Sequence, residues 1–289
     1  MKILLVGASG QLGQALSRTL PAFGAVSAPP RTILDLARPN TILQTLDRAA
    51  PDLIVNAAAY TAVDAAETDQ DAAMAINADG PGHLARWARQ NDAAILHYST
   101  DYVFDGSGER PWAPGDPIHP LNVYGQTKAA GEQQIRDAGA RHTILRTSWL
   151  YGPTGHNFLR SMLRLGQTRD VLRVVADQIG APTTTAAVAA GTARLLRIGR
   201  HHQTLHLCCQ GAVSWHGFAV ALLGDARARG WPLTVREVIP IRSEEYPTPA
   251  TRPRNSRLSI ASFVALTGWR PPTWQDAMVQ ALDRLHSRR

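Results

Sequence analysis

In the stretch NVYGQTKAAGE, spanning residues 122 to 132, Tyr124 stands four positions before Lys128. On a helix that spacing puts both side chains on one face. A free phenol titrates near ~10 and is a poor acid at neutral pH, but a neighbouring ammonium favours its ionised form and lowers that value. A pair of this kind can protonate the oxygen of a carbonyl as hydride reaches its carbon. The spacing equally fits a solvent-facing helical turn, so the rest of the chain has to supply a cleft, a cofactor and a substrate.

A cofactor site is written at the N-terminus. The apolar run KILLV is followed by Gly7-Ala8-Ser9-Gly10-Gln11-Leu12-Gly13 and then by the helical QALSRTL. Gly7, Gly10 and Gly13 let backbone approach a pyrophosphate, and the helix start offers it unpaired N–H groups and a positive dipole end. The order strand, G-x-x-G-x-x-G and helix points to a dinucleotide. An acid at the end of the second strand would suit adenosine ribose hydroxyls and a basic residue a 2′-phosphate. Here Pro30 and Arg31 fall near that position, with Asp35 a few residues on. Arg31 therefore tilts the choice toward NADP.

Two further strand ends complete the constellation. One closes in Asn56-Ala57-Ala58-Ala59-Tyr60-Thr61, small residues on which a cofactor can lie flat. The next closes in Ser99-Thr100-Asp101-Tyr102-Val103-Phe104-Asp105-Gly106, bringing hydroxyls and a carboxylate to the carboxyl end of a parallel strand, where open α/β sheets bind ligands. Thr100 is placed to hydrogen-bond the same substrate oxygen as Tyr124, and Lys128 to hold the nicotinamide ribose.

The elements that position these residues follow an alternating pattern. KILLVG, DLIVNAAA, AAILHYST and HTILRTSW read as buried parallel strands. TILQTLDRAA, AMAINADGPGHLARWARQ and GQTKAAGEQQIRDA read as crossover helices, the middle one loosened by its Gly-Pro-Gly. The expected fold is α/β: a doubly wound, Rossmann-type parallel sheet over residues 1–150, with residues 151–289 forming mainly a smaller mixed α/β substrate-binding lobe and returning some elements to the first sheet. In that second part LRVVA, TLHLCC and LTVREV look strand-like, and IPIRSEEYPTPATRPRNSRL reads as one long functional loop.

Composition narrows the class. The 289 residues are 44% hydrophobic and 18% charged, which fits a folded globular protein rather than a disordered one. No apolar run reaches the ~18 residues of a membrane span, and ILLVG after Met1 is too short for a signal peptide, so no membrane partner and a cytoplasmic location are expected. The formal net charge of +7 fits a nucleic-acid partner, an anionic small molecule or a solvated basic surface. Its arginines are scattered without a nucleic-acid-binding motif, so no nucleic acid is expected. The two cysteines, Cys208 and Cys209, are adjacent and read as buried strand residues in a reducing compartment.

Taken together, GASGQLG, VNAAAYTAVDAAE, HYSTDYVFDG, PLNVYGQTKAAGE, LRTSWLYG, DQIGAPT and YPTPATRPRNSRL resemble the dTDP-4-dehydrorhamnose reductases, extended short-chain dehydrogenase/reductases, nearly from end to end. Tyr102-Val103-Phe104 resembles the reductase branch rather than the sister dehydratases and epimerases. The resemblance implies reduction of dTDP-4-dehydro-β-L-rhamnose to dTDP-β-L-rhamnose by NAD(P)H. It implies Thr100, Tyr124 and Lys128 as the catalytic set, and Gly10, Gln11 and Leu12 at the pyrophosphate. Asp35 and Leu36 would flank the adenine, with Ala59, Thr61 and Tyr98 at the cofactor cleft. Asp101 and Trp149 would contact the dTDP-sugar, joined by Asn157, Arg254 and Asn255 from the smaller lobe. Pro30 replaces an acid frequent in the family, which favours NADPH while leaving NADH an option. Three glutamates that bind magnesium between subunits in some members fall at Ala15, Ala186 and Arg284, so no metal site is expected, and the protein would be a monomer or a homodimer without bridging magnesium. Two other readings stay open: a non-catalytic NADP-binding regulatory subunit, and an epimerase or dehydratase that retains its NAD.

Overall fold

A computed structural model describes residues 1–199 and 203–286. Its first part runs β1 (Lys2–Val6), α1 (Gln11–Thr19), β2 (Ala25–Ser27), α2 (Pro39–Ala49), β3 (Leu53–Asn56), α3 (Val63–Ala66), α4 (Gln70–Met74), α5 (Gly80–Gln90), β4 (Ala94–Thr100), α6 (Val123–Asp137) and β5 (Arg141–Thr147). The second runs β6 (Leu150–Tyr151), α7 (Phe158–Gly166), β7 (Val171–Val175), β8 (Ile179–Gly180), β9 (Thr183–Thr184), α8 (Thr185–Ile198), β10 (Gln203–His206), β11 (Val213–Ser214), α9 (Trp215–Ala228), β12 (Glu237–Ile241), β13 (Asn255–Ser256), α10 (Ala261–Thr267) and α11 (Trp274–His286).

The central sheet has six strands in the order β10-β5-β4-β3-β1-β2, all parallel. The continuously apolar runs of β1, β3 and β4 are explained by cover on both faces. Leu5, Leu96 and Leu145 pack with α1 and α8 on one side. Leu4, Ile54, Ile95 and Ile144 pack with α2 and α5 on the other. The expected doubly wound sheet is thus present, and α8 and β10, from beyond residue 150, belong to its layers. A separate apolar cluster joins α7, α9 and α11 to β7 around Phe218, Leu222 and Met278. Nearby, β12 pairs with β7, and β8 lies between β11 and β13.

Several local expectations are corrected. The helix middle is irregular as expected, but the irregularity is a π-helical turn over Ala75–Asp79, just before Gly80-Pro81-Gly82, and the helix runs on without a break into α5. The run LTVREV is mostly irregular, and its strand begins at Glu237 and takes in Ile239-Pro240-Ile241 from the segment expected to be loop. Pro240 is accommodated because β12 pairs only with β7. Asn255 and Ser256, in the same segment, form a third short strand against β8. Cys208 and Cys209 are buried but lie just past the end of β10.

Candidate active site

The glycine turn, the ends of β3 and β4, and the start of α6 meet at the carboxyl edge of the sheet. Gly13 lies inside α1, and a Cβ there would come within 2.0 Å of the Gly7 carbonyl oxygen, so the turn closes onto its helix only without a side chain. Gly10 caps α1 with no side-chain hydrogen bond, and no acid lies in the first turn. The helix start thus keeps its unpaired N–H groups and positive end available, the fit a pyrophosphate requires.

β4 ends on Thr100, which is 6% exposed and caps the following 3-10 turn. Its Oγ1 accepts from the Tyr102 N–H at 3.2 Å and donates to Asp101 Oδ1 at 3.1 Å. Asn122 caps α6 through the Gly125 N–H at 2.8 Å and anchors it to the Thr251 carbonyl at 2.7 Å. Tyr124 therefore stands in the first turn of α6 and Lys128 in the second. Gly125 between them lets the helix touch the strand-four turn: a Cβ there would lie 2.2 Å from the Tyr102 carbonyl oxygen.

Tyr124 faces the Thr100 hydroxyl and packs edge-on against Tyr102, with ring centroids 5.6 Å apart. Burial pushes the phenol up to about 12; the Thr100 hydroxyl opposes this and the Asp101 charge adds to it. That is opposite to the shift expected from a neighbouring ammonium. The reason is geometric: Lys128 Nζ turns toward β4, donating to the Tyr98 carbonyl at 2.7 Å and lying 3.0 Å from His97 Nε2. Lys128 is 2% exposed, and burial lowers its ammonium to about 8 against a smaller opposing effect of Glu132. Asp101, 3% exposed, is raised to about 6 by burial. A tyrosine that stays protonated across neutral pH is a competent proton donor to an alkoxide, a stronger base.

The remaining expected residues fall into two groups. Leu36 is buried beneath the sheet edge, and Asp35 is bound to the Ala37 N–H and to the exposed Arg31, 3.5 Å away. Ala59 and Thr61 follow β3 as irregular backbone. Tyr98 contributes its carbonyl to Lys128, while its hydroxyl meets Thr192 of α8 at 2.7 Å. Trp149 has a left-handed φ of 47° and stacks on Trp215, with centroids 3.5 Å apart. Asn157, Arg254 and Asn255 are engaged within the protein. Asn157 caps α7 and donates to Gln11 Oε1 at 2.8 Å, tying the second part to the glycine turn. Arg254 pairs with Glu244 and Asp177, and Asn255 Nδ2 donates to the Arg110 carbonyl.

Sequence reading missed the roles of four residues. Asn56 and His97 are register partners on β3 and β4, both fully buried, and their polar types in apolar strands were the available signal. Arg252 holds Asp64 at 2.7 Å and fastens the proline-rich segment over the Tyr102 side of the site. Trp215 is signalled by no spacing, since its partner Trp149 lies 66 positions away in sequence.

Comparisons with known proteins identify the family. A family model described as RmlD substrate binding domain matches residues 1–287. The dTDP-4-dehydrorhamnose reductase of Burkholderia thailandensis is 42% identical over 96% of this chain and 97% of its own. The chain belongs to the RmlD family. The Escherichia coli K12 reductase of the same name is 40% identical, covering 99% of this chain and 98% of its own. Among solved RmlD-family structures, the Bacillus anthracis dTDP-4-dehydrorhamnose reductase in complex with NADP superposes with a TM-score of 0.92 at 33% identity, over 98% of this chain and 100% of that one. The Clostridium acetobutylicum protein gives 0.91 at 36% identity, over 99% of each chain. This RmlD-family member is accordingly an oxidoreductase. No helix among the described residues is long and apolar enough to cross a membrane.

Proposed function

We propose that the protein reduces the 4-keto group of dTDP-4-dehydro-β-L-rhamnose to give dTDP-β-L-rhamnose, with NADPH as reductant and Tyr124 as proton donor. The observation that carries this reading is the convergence of Thr100, Tyr124 and Lys128 beside an uncapped glycine turn at one sheet edge. NADPH supplies the hydride. Gly10, Gln11 and Leu12 present the start of α1 to its pyrophosphate, and Arg31 faces the 2′-phosphate end of the cleft. Lys128 holds the nicotinamide ribose. Thr100 and Tyr124 bind the ketone oxygen, and Tyr124 Oη gives up its proton as negative charge gathers there. Asp101 and the Trp149 ring hold the sugar. Relatives described as dTDP-4-dehydrorhamnose reductases, one of them solved with NADP, support the choice of substrate and cofactor.

The test is to incubate the purified protein with dTDP-4-dehydrorhamnose and NADPH, follow the loss of nicotinamide absorbance, and identify the sugar product. One dTDP-rhamnose per NADPH consumed is expected, from protein that purifies free of cofactor. Tightly retained NAD with no net NADPH loss would favour the epimerase or dehydratase reading. NADP binding without turnover would favour the regulatory one.

A further inference from the structure

Behind Lys128 lies a chain of hydrogen bonds with a fixed direction. It starts at a backbone donor: the Ala58 N–H binds Asn56 Oδ1 at 3.1 Å. That contact orients the Asn56 amide, because the flipped amide would set NH2 against N–H. Asn56 Nδ2 is then the atom facing His97 Nδ1, at 3.1 Å, so Nδ1 must accept. Burial and the nearby Lys128 push the His97 pKa well below 6.5, which keeps the ring neutral. A neutral imidazole that accepts at Nδ1 carries its hydrogen on Nε2. That Nε2–H points at Lys128 Nζ, 3.0 Å away. An ammonium has three donors and no lone pair, whereas an amine can accept this hydrogen and still donate to the Tyr98 carbonyl at 2.7 Å.

We propose that His97, oriented by Asn56, is a positioning residue whose Nε2–H favours the neutral, hydrogen-bond-accepting form of Lys128 in the free protein, and that the cofactor shifts Lys128 back toward the ammonium, so that in mildly alkaline solution it takes up a proton on binding. The other groups around Nζ do not reverse this. From α6 itself, Glu132 favours the ammonium, but its carboxylate is held by Arg146 of β5 at 2.6 Å and by Arg136 at 2.7 Å. Tyr124, also on α6, is uncharged, and Asp101, just past β4, acts chiefly on Tyr124 and Tyr102. From β3 only Asn56 enters the network, through His97. Burial, which lowers Lys128 to about 8, works in the same direction as the imidazole N–H. The anionic cofactor reverses the balance: its charge favours the ammonium, and ribose hydroxyls replace the imidazole as partners. The cofactor half of this inference rests on the function proposed above; the free-protein half does not.

The chain has two lysines, Lys2 and Lys128, so 13C labelling of lysine ε-carbons follows Lys128 directly, with exposed Lys2 as reference. In cofactor-free protein Lys128 is expected to titrate with a midpoint at or below about 8. 15N spectra are expected to show the His97 hydrogen on Nε2, the resonance being assigned by its loss in His97→Gln. Asn56→Asp accepts from both Ala58 N–H and His97 Nδ1–H, moves the ring hydrogen to Nδ1, and raises the Lys128 midpoint by about one pH unit or more. A wild-type ring hydrogen on Nδ1, or a Lys128 midpoint near the ordinary 10.5, overturns the proposal. So does Asn56→Asp with the tautomer unchanged. Adding NADPH at about pH 9 should then move the Lys128 resonance to its ammonium position. Binding without that movement overturns the proton uptake, whereas failure of NADPH to bind overturns the cofactor assignment and leaves the free-protein result intact.

Discussion

Lys128 and Arg146 are equally buried basic side chains, each 2% exposed, that meet across α6 and its strands. They differ in what they touch. Arg146 clamps Glu132 with two bonds, Nε to Oε1 at 2.8 Å and Nη2 to Oε2 at 2.6 Å, donates to the Pro114 carbonyl at 3.2 Å, and lies over the Phe104 ring. Lys128, one turn before Glu132, has no carboxylate on its nitrogen, only an imidazole and a carbonyl. A guanidinium cannot shed its proton, so its burial requires a fixed partner and yields architecture. A buried ammonium without such a partner can change charge, and that suits it to chemistry. Two buried basic side chains, Lys128 on α6 and Arg146 on the neighbouring β5, are thus divided between function and structure.

The largest effect is expected on the reactive side. Tyr124→Phe removes the proton donor and should lower turnover by roughly 10²–10⁴-fold while cofactor affinity stays nearly intact, measured by NADPH oxidation and by titration of NADPH binding. Undiminished oxidation by that variant would remove the reason for setting Lys128 apart from Arg146. On the structural side, Glu132→Ala leaves Arg146 buried and uncompensated and should cost about 3–5 kcal/mol in denaturant unfolding. Burial alone would raise the Glu132 carboxyl, but its polar contacts together, those with Arg146 foremost, hold it below its usual range. A depressed folded pKa contributes stability that is present above the unfolded carboxyl value and is lost as pH falls through the folded one. Acid unfolding of the wild type should therefore be steeper than that of Glu132→Ala.

Exposed arginines sharpen the contrast from outside. Arg31, whose partner Asp35 is 3.5 Å away, should act only through ligand charge: Arg31→Ala is expected to lower the NADPH-to-NADH efficiency ratio by about tenfold without changing the melting temperature. An unchanged ratio would remove Arg31 from the cofactor site. Arg252 pairs with a half-exposed Asp64, so Arg252→Ala should cost no more than ~1 kcal/mol in thermal unfolding. A larger loss would place Arg252 with Arg146 as an architectural cation.

Much of this was legible in the residues. Strands buried on both faces write themselves as apolar runs, and the glycine turn, STDY and YGQTK each sit at the end of one such run or the start of the helix after it. What stayed hidden depends on distance in sequence or on side-chain direction. The Lys128 ammonium was expected to serve Tyr124, and only the fold shows it facing His97, a residue 31 positions away on β4. Asn157 has the composition of a ligand contact, yet its amide is spent on the cap of α7 and on Gln11. Short strands such as β13 carry too few residues to display a period, so they vanished into an apparent loop.

The most direct test places one substitution at both cations. Lys128→Met and Arg146→Met remove equally buried basic groups in favour of similar apolar volume, and each variant is compared by turnover per folded molecule and by unfolding free energy. The account predicts that Lys128→Met keeps its fold and loses turnover by about 10²-fold or more, whereas Arg146→Met loses about 3–5 kcal/mol of stability and retains turnover in the fraction that folds. A stable, inactive Arg146→Met beside an unstable, active Lys128→Met would contradict it.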